Sequence, residues 1–140
     1  MIDTNVLVSA SIAKGASYKI MKEILIEKEL ALLCYSPEVL EEYTKVANYQ
    51  RIQKKYPLYF IAVQSYIKKV QKAGKLFIPI SHFSLITKDV SDNIFLDVAF
   101  AADAHYIITG NHNDFTISTF ETSKIVSPKL FLELYESDEL

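Results

Sequence analysis

Asp3 follows Met1-Ile2 and precedes Thr4-Asn5-Val6-Leu7-Val8, so a carboxylate stands where an apolar strand would end and the chain would turn toward a helix. Three other acidic or amide positions occupy comparable boundaries. Glu42 lies six residues after Ser36, in the helix that Ser36-Pro37 announces; Asp92 opens the apolar run Asn93–Phe100; and Asn111 and Asp114 follow Tyr106-Ile107-Ile108-Thr109. In a parallel sheet the carboxyl ends of the strands gather on one edge, and ligands bind there. Carboxylates collected at such a place repel one another and lose hydration. A hard divalent cation such as Mg²⁺, which prefers oxygen donors, relieves both costs. It also acidifies a bound water and stabilises charge on a phosphoryl oxygen. The residue types therefore point to metal-assisted hydrolysis of a phosphate ester.

Helical phase sorts the acids further. At about 100° per residue, Val39, Leu40, Tyr43, Val46 and Ala47 make one apolar stripe, Glu38, Glu41 and Lys45 lie opposite it, and Glu42 falls on its border. An acid on the border is drawn partly inward and needs a partner, whereas Glu38 and Glu41 read as solvent-facing. Asp92 has two readings, a metal ligand or simply the N-cap of the helix it opens. Asp97 interrupts Ile94-Phe95-Leu96 and Val98-Ala99-Phe100, where burial without a partner is costly. It lies about 140° around the helix from Asp92, so the two do not bind one ion directly, and Asp97 is a supporting residue. Asp89 and Asp103 read as loop or surface acids. His82, His105 and His112 are scattered; only His112 lies near these segments, where a loop role fits it.

These positions depend on an alternation of elements. Val6–Ala13 leads out of the first strand and Gly15 breaks it. Ser17 can cap a helix running to about Glu29, with Met21, Ile24 and Leu25 at helical period. Residues 31–35 read as a buried strand containing the single cysteine, Cys34, a small core residue. Ser36-Pro37 supplies an N-cap and first helical position. Pro57–Ala73 reads as a long helix with Phe60, Val63, Ile67 and Val70 on one stripe and Gly74 as its stop. Leu76–Ile80 follows as a short strand, 92–104 as a buried helix, Tyr106–Thr109 and Lys124–Val126 as strands, and Pro128–Tyr135 as the last helix. The alternation predicts an α/β fold, a parallel sheet covered on both faces by helices.

Length and composition set the limits. A chain of 140 residues, half of them hydrophobic, predicts one domain over 1–140 with a real core rather than a disordered tail. No apolar run approaches the roughly 18 residues of a membrane span, no signal peptide is read at the N-terminus, and one cysteine cannot form an internal disulfide. All this fits a cytoplasmic protein. The net charge of −2 conceals a segregation: residues 43–88 hold nine of the 15 basic residues and none of the 17 acids. Tyr43, Tyr49, Tyr56, Tyr59, Phe60 and Tyr66 share that stretch. Lysines neutralise phosphates and aromatic rings stack on unpaired bases, so it reads either as a nucleic-acid face, with Lys45, Arg51, Lys54 and Lys55 as backbone contacts, or as a lysine-rich helical hairpin whose tyrosines pack inward.

The segments Ile2-Asp3-Thr4-Asn5-Val6-Leu7-Val8-Ser9-Ala10, Ser36-Pro37-Glu38-Val39-Leu40-Glu41-Glu42-Tyr43, Asp92-Asn93-Ile94-Phe95-Leu96-Asp97-Val98-Ala99 and Ile107-Ile108-Thr109-Gly110-Asn111-His112-Asn113-Asp114-Phe115, in this order and spacing, resemble the PIN-domain family. The likeness is greatest to members described as toxins of toxin–antitoxin systems. The resemblance spans essentially the whole chain. It implies an α/β/α sandwich with a central parallel sheet, and Mg²⁺- or Mn²⁺-dependent cleavage of RNA that leaves a 5′-phosphate and a 3′-hydroxyl. The family's three acids map to Asp3, Glu42 and Asp92, as catalytic and metal-binding residues, with Asn5 as a supporting polar residue. Many members carry an Asp where Asn111 stands; Asp114 is the nearest acid that could supply the missing charge. The resemblance further implies an antitoxin partner and a homodimer, for which the tyrosines and apolar residues around 56–67 could form an interface or equally belong to the core. Two other readings compete: a PIN fold that binds RNA or protein but cuts poorly, motivated by Asn111, and a phosphatase with Asp3 as nucleophile, which usually needs a second Asp where Asn5 stands.

Overall fold

The structure, a computed structural model, describes residues 1–28, 30–86, 92–110 and 119–140. Helix α1 (Thr4–Ile12) begins directly after Asp3 and buries Thr4, Val6, Leu7 and Ala10. The β-branched run after Asp3, read as the exit from a strand, is thus helical from Thr4 onward. α2 (Ala16–Lys19) starts from Gly15 and continues as a π-helix over Ile20–Glu27, which buries Ile20, Met21, Ile24 and Leu25. Ser17, expected as a cap, lies inside the first turn and is buried. The short strand β1 (Cys34–Tyr35) precedes α3 (Pro37–Ala47), where the Ser36 side chain accepts from the Val39 amide, 3.1 Å, as the Ser-Pro pair predicts.

A short helix, α4 (Gln50–Lys55), precedes the expected long helix, which is α5 (Tyr59–Ala73). On α5 the inward stripe is Tyr59, Val63, Tyr66, Ile67 and Val70; Phe60 faces out. Tyr59 takes the place assigned to Phe60 because its hydroxyl reaches an acceptor, the Val46 carbonyl at 2.8 Å, so its ring can be buried without stranding a polar tip. β2 (Lys75–Leu76) follows, then α6 (Asn93–Ala101), β3 (Tyr106–Ile108), β4 (Thr119–Phe120), β5 (Ser123–Val126) and α7 (Pro128–Glu136).

The α/β class holds, with the described strands arranged in two small sheets. β3 and β5 pair in parallel, Ile107 opposite Ile125, and β4 adds to β5 as an antiparallel hairpin arm. β1 and β2 form a separate parallel pair. The first strand is reduced to Ile2, which bridges Ile108 in parallel. The strands are two to four residues long, so the core is built mainly from helix faces. α1 packs on α3 and α5, and α3 on α6. Leu7, Ile20, Met21, Val39, Tyr43, Val63, Phe95 and Ile107 are fully buried between them, and Cys34 is a free, buried core residue.

Gly74 joins α5 to β2 where backbones meet. A Cβ there would lie 2.7 Å from the Val70 carbonyl oxygen and 2.8 Å from that of Leu33. Gly74→Ala is therefore expected to cost about 1–3 kcal/mol of unfolding free energy in a urea titration, while Gly15→Ala, whose Cβ meets nothing within 4 Å, leaves the midpoint nearly unchanged. A second expectation concerns base. Burial pushes the Tyr59 phenol from 10.0 to about 12. The unfolded chain then ionises first, so the stability Tyr59 contributes is complete below about pH 10 and is lost as pH rises toward about 12. Urea midpoints measured across that window should fall less steeply in Tyr59→Phe than in the wild type.

Candidate functional site

Asp3 is anchored from both sides. Its amide donates to the Ile108 carbonyl, 2.9 Å, and the Ile108 amide donates to the Met1 carbonyl, 2.9 Å, so residues 1–3 run alongside β3. The Thr109 amide donates to the Val126 carbonyl at 3.0 Å and extends the β3–β5 ladder. The Thr109 hydroxyl, on a residue with no exposed surface, donates to Asp3 Oδ2 at 2.7 Å; Asp3 itself is 2% exposed. A carboxylate is thus held inside the protein at the carboxyl edge of the parallel strands and at the N-cap position of α1, whose dipole favours negative charge there. The neighbouring Thr4 Oγ1 is buried and has no hydrogen-bond partner among the described residues.

α3 is fastened to the same place. The Tyr43 hydroxyl donates to the Ile2 carbonyl at 2.6 Å, and its ring lies 6.3 Å from that of Phe95 on α6. Burial, then the negative charge of Asp3, then Cys34, raises the Tyr43 phenol well above its ordinary value, so it stays protonated as a donor. Glu42, next to Tyr43, is half-buried, as its position on the stripe's border predicts; Glu38 and Glu41 are exposed.

Asp92 stands half-buried at the N-cap position of α6, with helical backbone angles and no side-chain hydrogen bond capping the first turn. The ordinary capping role therefore does not account for it. Asn93 grips the preceding segment through both of its amide atoms: the Ile86 amide donates to its Oδ1 at 2.8 Å, and its Nδ2 donates to the Ile86 carbonyl at 3.0 Å. Asp97, 7% exposed, has the partners its burial requires. Its Oδ1 accepts from the Phe83 amide at 2.7 Å, and its Oδ2 lies 3.0 Å from His82 Nδ1. Asn93 and Asp97 thus tie 82–86 to α6, just upstream of Asp92. The sequence offered no signal for His82, which lies outside the motif segments, and Thr109 and Asn93 stood inside them without an assigned role.

The structure brings the elements bearing Asp3, Glu42 and Asp92 together. Among the described residues, no group of three or more His, Cys, Asp or Glu side chains lies close enough together to hold a metal ion. Asn5 is exposed on α1, two residues beyond Asp3. Lys45 on α3 and Arg51, Lys54 and Lys55 on α4 are all exposed. Of the aromatic residues interleaved with them, Tyr43, Tyr59 and Tyr66 pack into the core, while Tyr49 and Phe60 present 41% and 38% of their surface. Asp103 is exposed and accepts from the Thr122 hydroxyl at 2.6 Å, a surface role. Asn111, Asp114, His112 and Asp89 lie outside the described residues.

The family model described as PIN domain matches residues 1–113. The chain belongs to the PIN-domain family. The matched region contains Asp3, Glu42, Asp92 and Asn111, and Asp114 lies one residue past its end. PIN domains are commonly nucleases and generally use divalent metals. No curated protein and no solved structure matches the chain. No helix among the described residues is long and apolar enough to cross a membrane.

Asp3, Glu42 and Asp92 are oxygen donors by residue type, the kind of ligand a hard cation prefers. Thr109→Val keeps the shape but removes the hydroxyl that donates to the buried Asp3 carboxylate. It is expected to cost about 1–3 kcal/mol by urea unfolding, and Asp3→Asn in the Thr109→Val background should recover part of that loss because a neutral amide is cheaper to bury than an ion.

Proposed function

We propose that this PIN-domain protein is a metal-dependent ribonuclease that hydrolyses RNA phosphodiester bonds, and that it serves as the toxin of a type II toxin–antitoxin pair. The observation that carries the nuclease reading is the buried Asp3 carboxylate, set at the carboxyl edge of β3 and at the start of α1, with α3 and α6 docked around it. Mg²⁺ or Mn²⁺, when bound, supplies an acidified water and neutralises charge on the phosphate oxygens. Asp3 and Asp92 are the residues that would hold it, and Glu42 would bind it or orient its water. Two protein carboxylates suffice for Mg²⁺, which keeps several waters of its own. Thr109 fixes the rotamer of Asp3; Asn93 and Asp97 fix the approach of the chain to Asp92. Asn5, Asn111 and Asp114 are assigned supporting roles around the same edge. Lys45, Arg51, Lys54 and Lys55 would hold the RNA backbone, beside Tyr49. Cleavage leaves a 5′-phosphate and a 3′-hydroxyl.

The partner reading rests on exposed apolar side chains. Leu58 and Ile61 present 73% and 66% of their surface at the start of α5, beside Phe60. Such a patch supports a protein contact, with a cognate antitoxin or a second copy of the chain. A cytoplasmic location goes with this role. The second reading, an RNA- or protein-binding module that cuts poorly, is favoured by the neutral Asn111 at the fourth acidic position.

The deciding experiment is cleavage of a single-stranded RNA with Mg²⁺ or Mn²⁺, comparing the wild type with Asp3→Asn and Asp92→Asn. Both variants should lose at least about 100-fold in rate, the scale of removing one electrostatic group from an active site, while still binding RNA. Undiminished cleavage in both would end the proposal, and a wild type that binds RNA without cutting it under either metal would establish the binding module instead.

A further inference from the structure

Behind Asp3 on the same sheet edge lies a pocket of about 310 Å³, bordered by Ser9, Gly15, Ser17, Gly110, Ser127 and Lys129. Its placement follows from the topology. β3 and β5 are parallel neighbours, so their carboxyl ends deliver Thr109-Gly110 and Ser127-Pro128 side by side. Ser9 lies six residues along α1 from Asp3, about 9 Å down the helix axis, and on the face that carries the exposed Asn5.

The lining has one chemical sense. Among the described residues it offers three serine hydroxyls and one lysine, and no carboxylate. Lys129 is exposed and enters no ion pair among the described residues. Ser17 is only 8% exposed, borders the pocket, and makes no side-chain hydrogen bond among the described residues. Its oxygen is not among the fully buried atoms, so it opens onto the pocket and can bond to a group there. The start of α7, a nine-residue helix, points its positive end at the same space. The Ser127 oxygen already accepts from the Leu130 amide at 3.1 Å, which leaves its hydroxyl proton to donate elsewhere. A Cβ on Gly15 or Gly110 would meet nothing within 4 Å, so the walls leave room at both glycines. At the small end of the range for ligand sites, the volume suits a compact anionic group.

We propose that this pocket binds a backbone phosphate of the RNA, one that flanks the scissile phosphate. The assignment rests on the ribonuclease reading and extends it: the strand runs from the acidic edge at Asp3 along the Asn5–Ser9 face of α1 toward Lys129. The lysines of α3 and α4 are then one of two basic contacts, on opposite sides of the cut.

The test uses the full chain in EDTA, so that RNA is bound and not cleaved, with anisotropy of a labelled single-stranded RNA read from about 50 to 200 mM salt. Lys129→Glu should weaken binding about five- to tenfold and flatten the slope of log K against log salt by about 0.7, the loss of one phosphate contact on a single strand. Ser17→Ala should weaken binding about threefold with the slope unchanged, because a neutral donor releases no counterion. Lys124→Gln, on the exposed face of β5, should bind as the wild type does. Wild-type affinity and slope in both Lys129→Glu and Ser17→Ala overturn the assignment, and do so without touching the nuclease reading if Asp3→Asn still abolishes cleavage. A wild type that binds no RNA overturns both together. Inorganic phosphate provides the last arm: amide shifts confined to Ser17, Gly110 and Lys129 alongside unaltered RNA binding by the variants would mark a free-phosphate site and refute the RNA assignment.

Discussion

A carboxylate buried to 2% exposure is the constraint around which this fold is arranged. An isolated ion in such a place would cost far more than a domain's whole stability, so the protein must supply compensation. Thr109 donates its hydroxyl to Asp3, and the start of α1 adds a favourable dipole. Thr109 can do this only because the β3–β5 ladder carries it one residue past the end of β3, to the Val126 carbonyl. The edge of the sheet and the position of the acid are therefore one structural fact.

The remaining problem is to hold the helices to two small sheets whose strands are two to four residues long. Short strands make few ladder bonds, and tyrosine hydroxyls take over part of the work. Tyr43 reaches the Ile2 carbonyl and Tyr59 the Val46 carbonyl, each from inside the core. Each of these bonds spans two elements that do not share a sheet. Because Tyr43 touches Ile2, α3 cannot shift without moving the residue beside Asp3, and its ring contact with Phe95 brings α6 into the same unit. Side-chain to backbone bonds and a ring contact thus join α3, α6 and the residue beside Asp3. On α6, Asn93 and Asp97 perform the equivalent task for the segment upstream of Asp92.

The charge pattern complements this arrangement. Seven of the nine basic residues of 43–88 face solvent on α3 to α5, within a stretch that holds no acid. Lysines lower the local cost of bringing a polyanion toward an acidic edge, which would otherwise repel it. The belonging of the chain to the PIN-domain family accords with a centre of acids flanked by cations. Lys129, far away in sequence from the basic stretch, borders a pocket with Gly110, just past the carboxyl end of β3.

Periodicity and residue type alone determined a good deal: the helical border position of Glu42, the exposure of Glu38 and Glu41, the need of Asp97 for a partner, the Ser-Pro start of α3, and the α/β class. Each is local, set by the 3.6-residue repeat or by a cap within four residues. Tertiary structure decided the rest. The run Thr4–Ile12 is helical despite its β-branched residues because an apolar face at helical spacing packs on α3 and α5. Tyr59 rather than Phe60 turns inward because an acceptor on α3 awaits its hydroxyl. Thr109, Tyr43 and His82 gain their roles from partners 106, 41 and 15 residues away. A hydrogen bond between distant residues leaves no periodic trace in the chain, so only the folded arrangement reveals which of many polar side chains surround the buried acid.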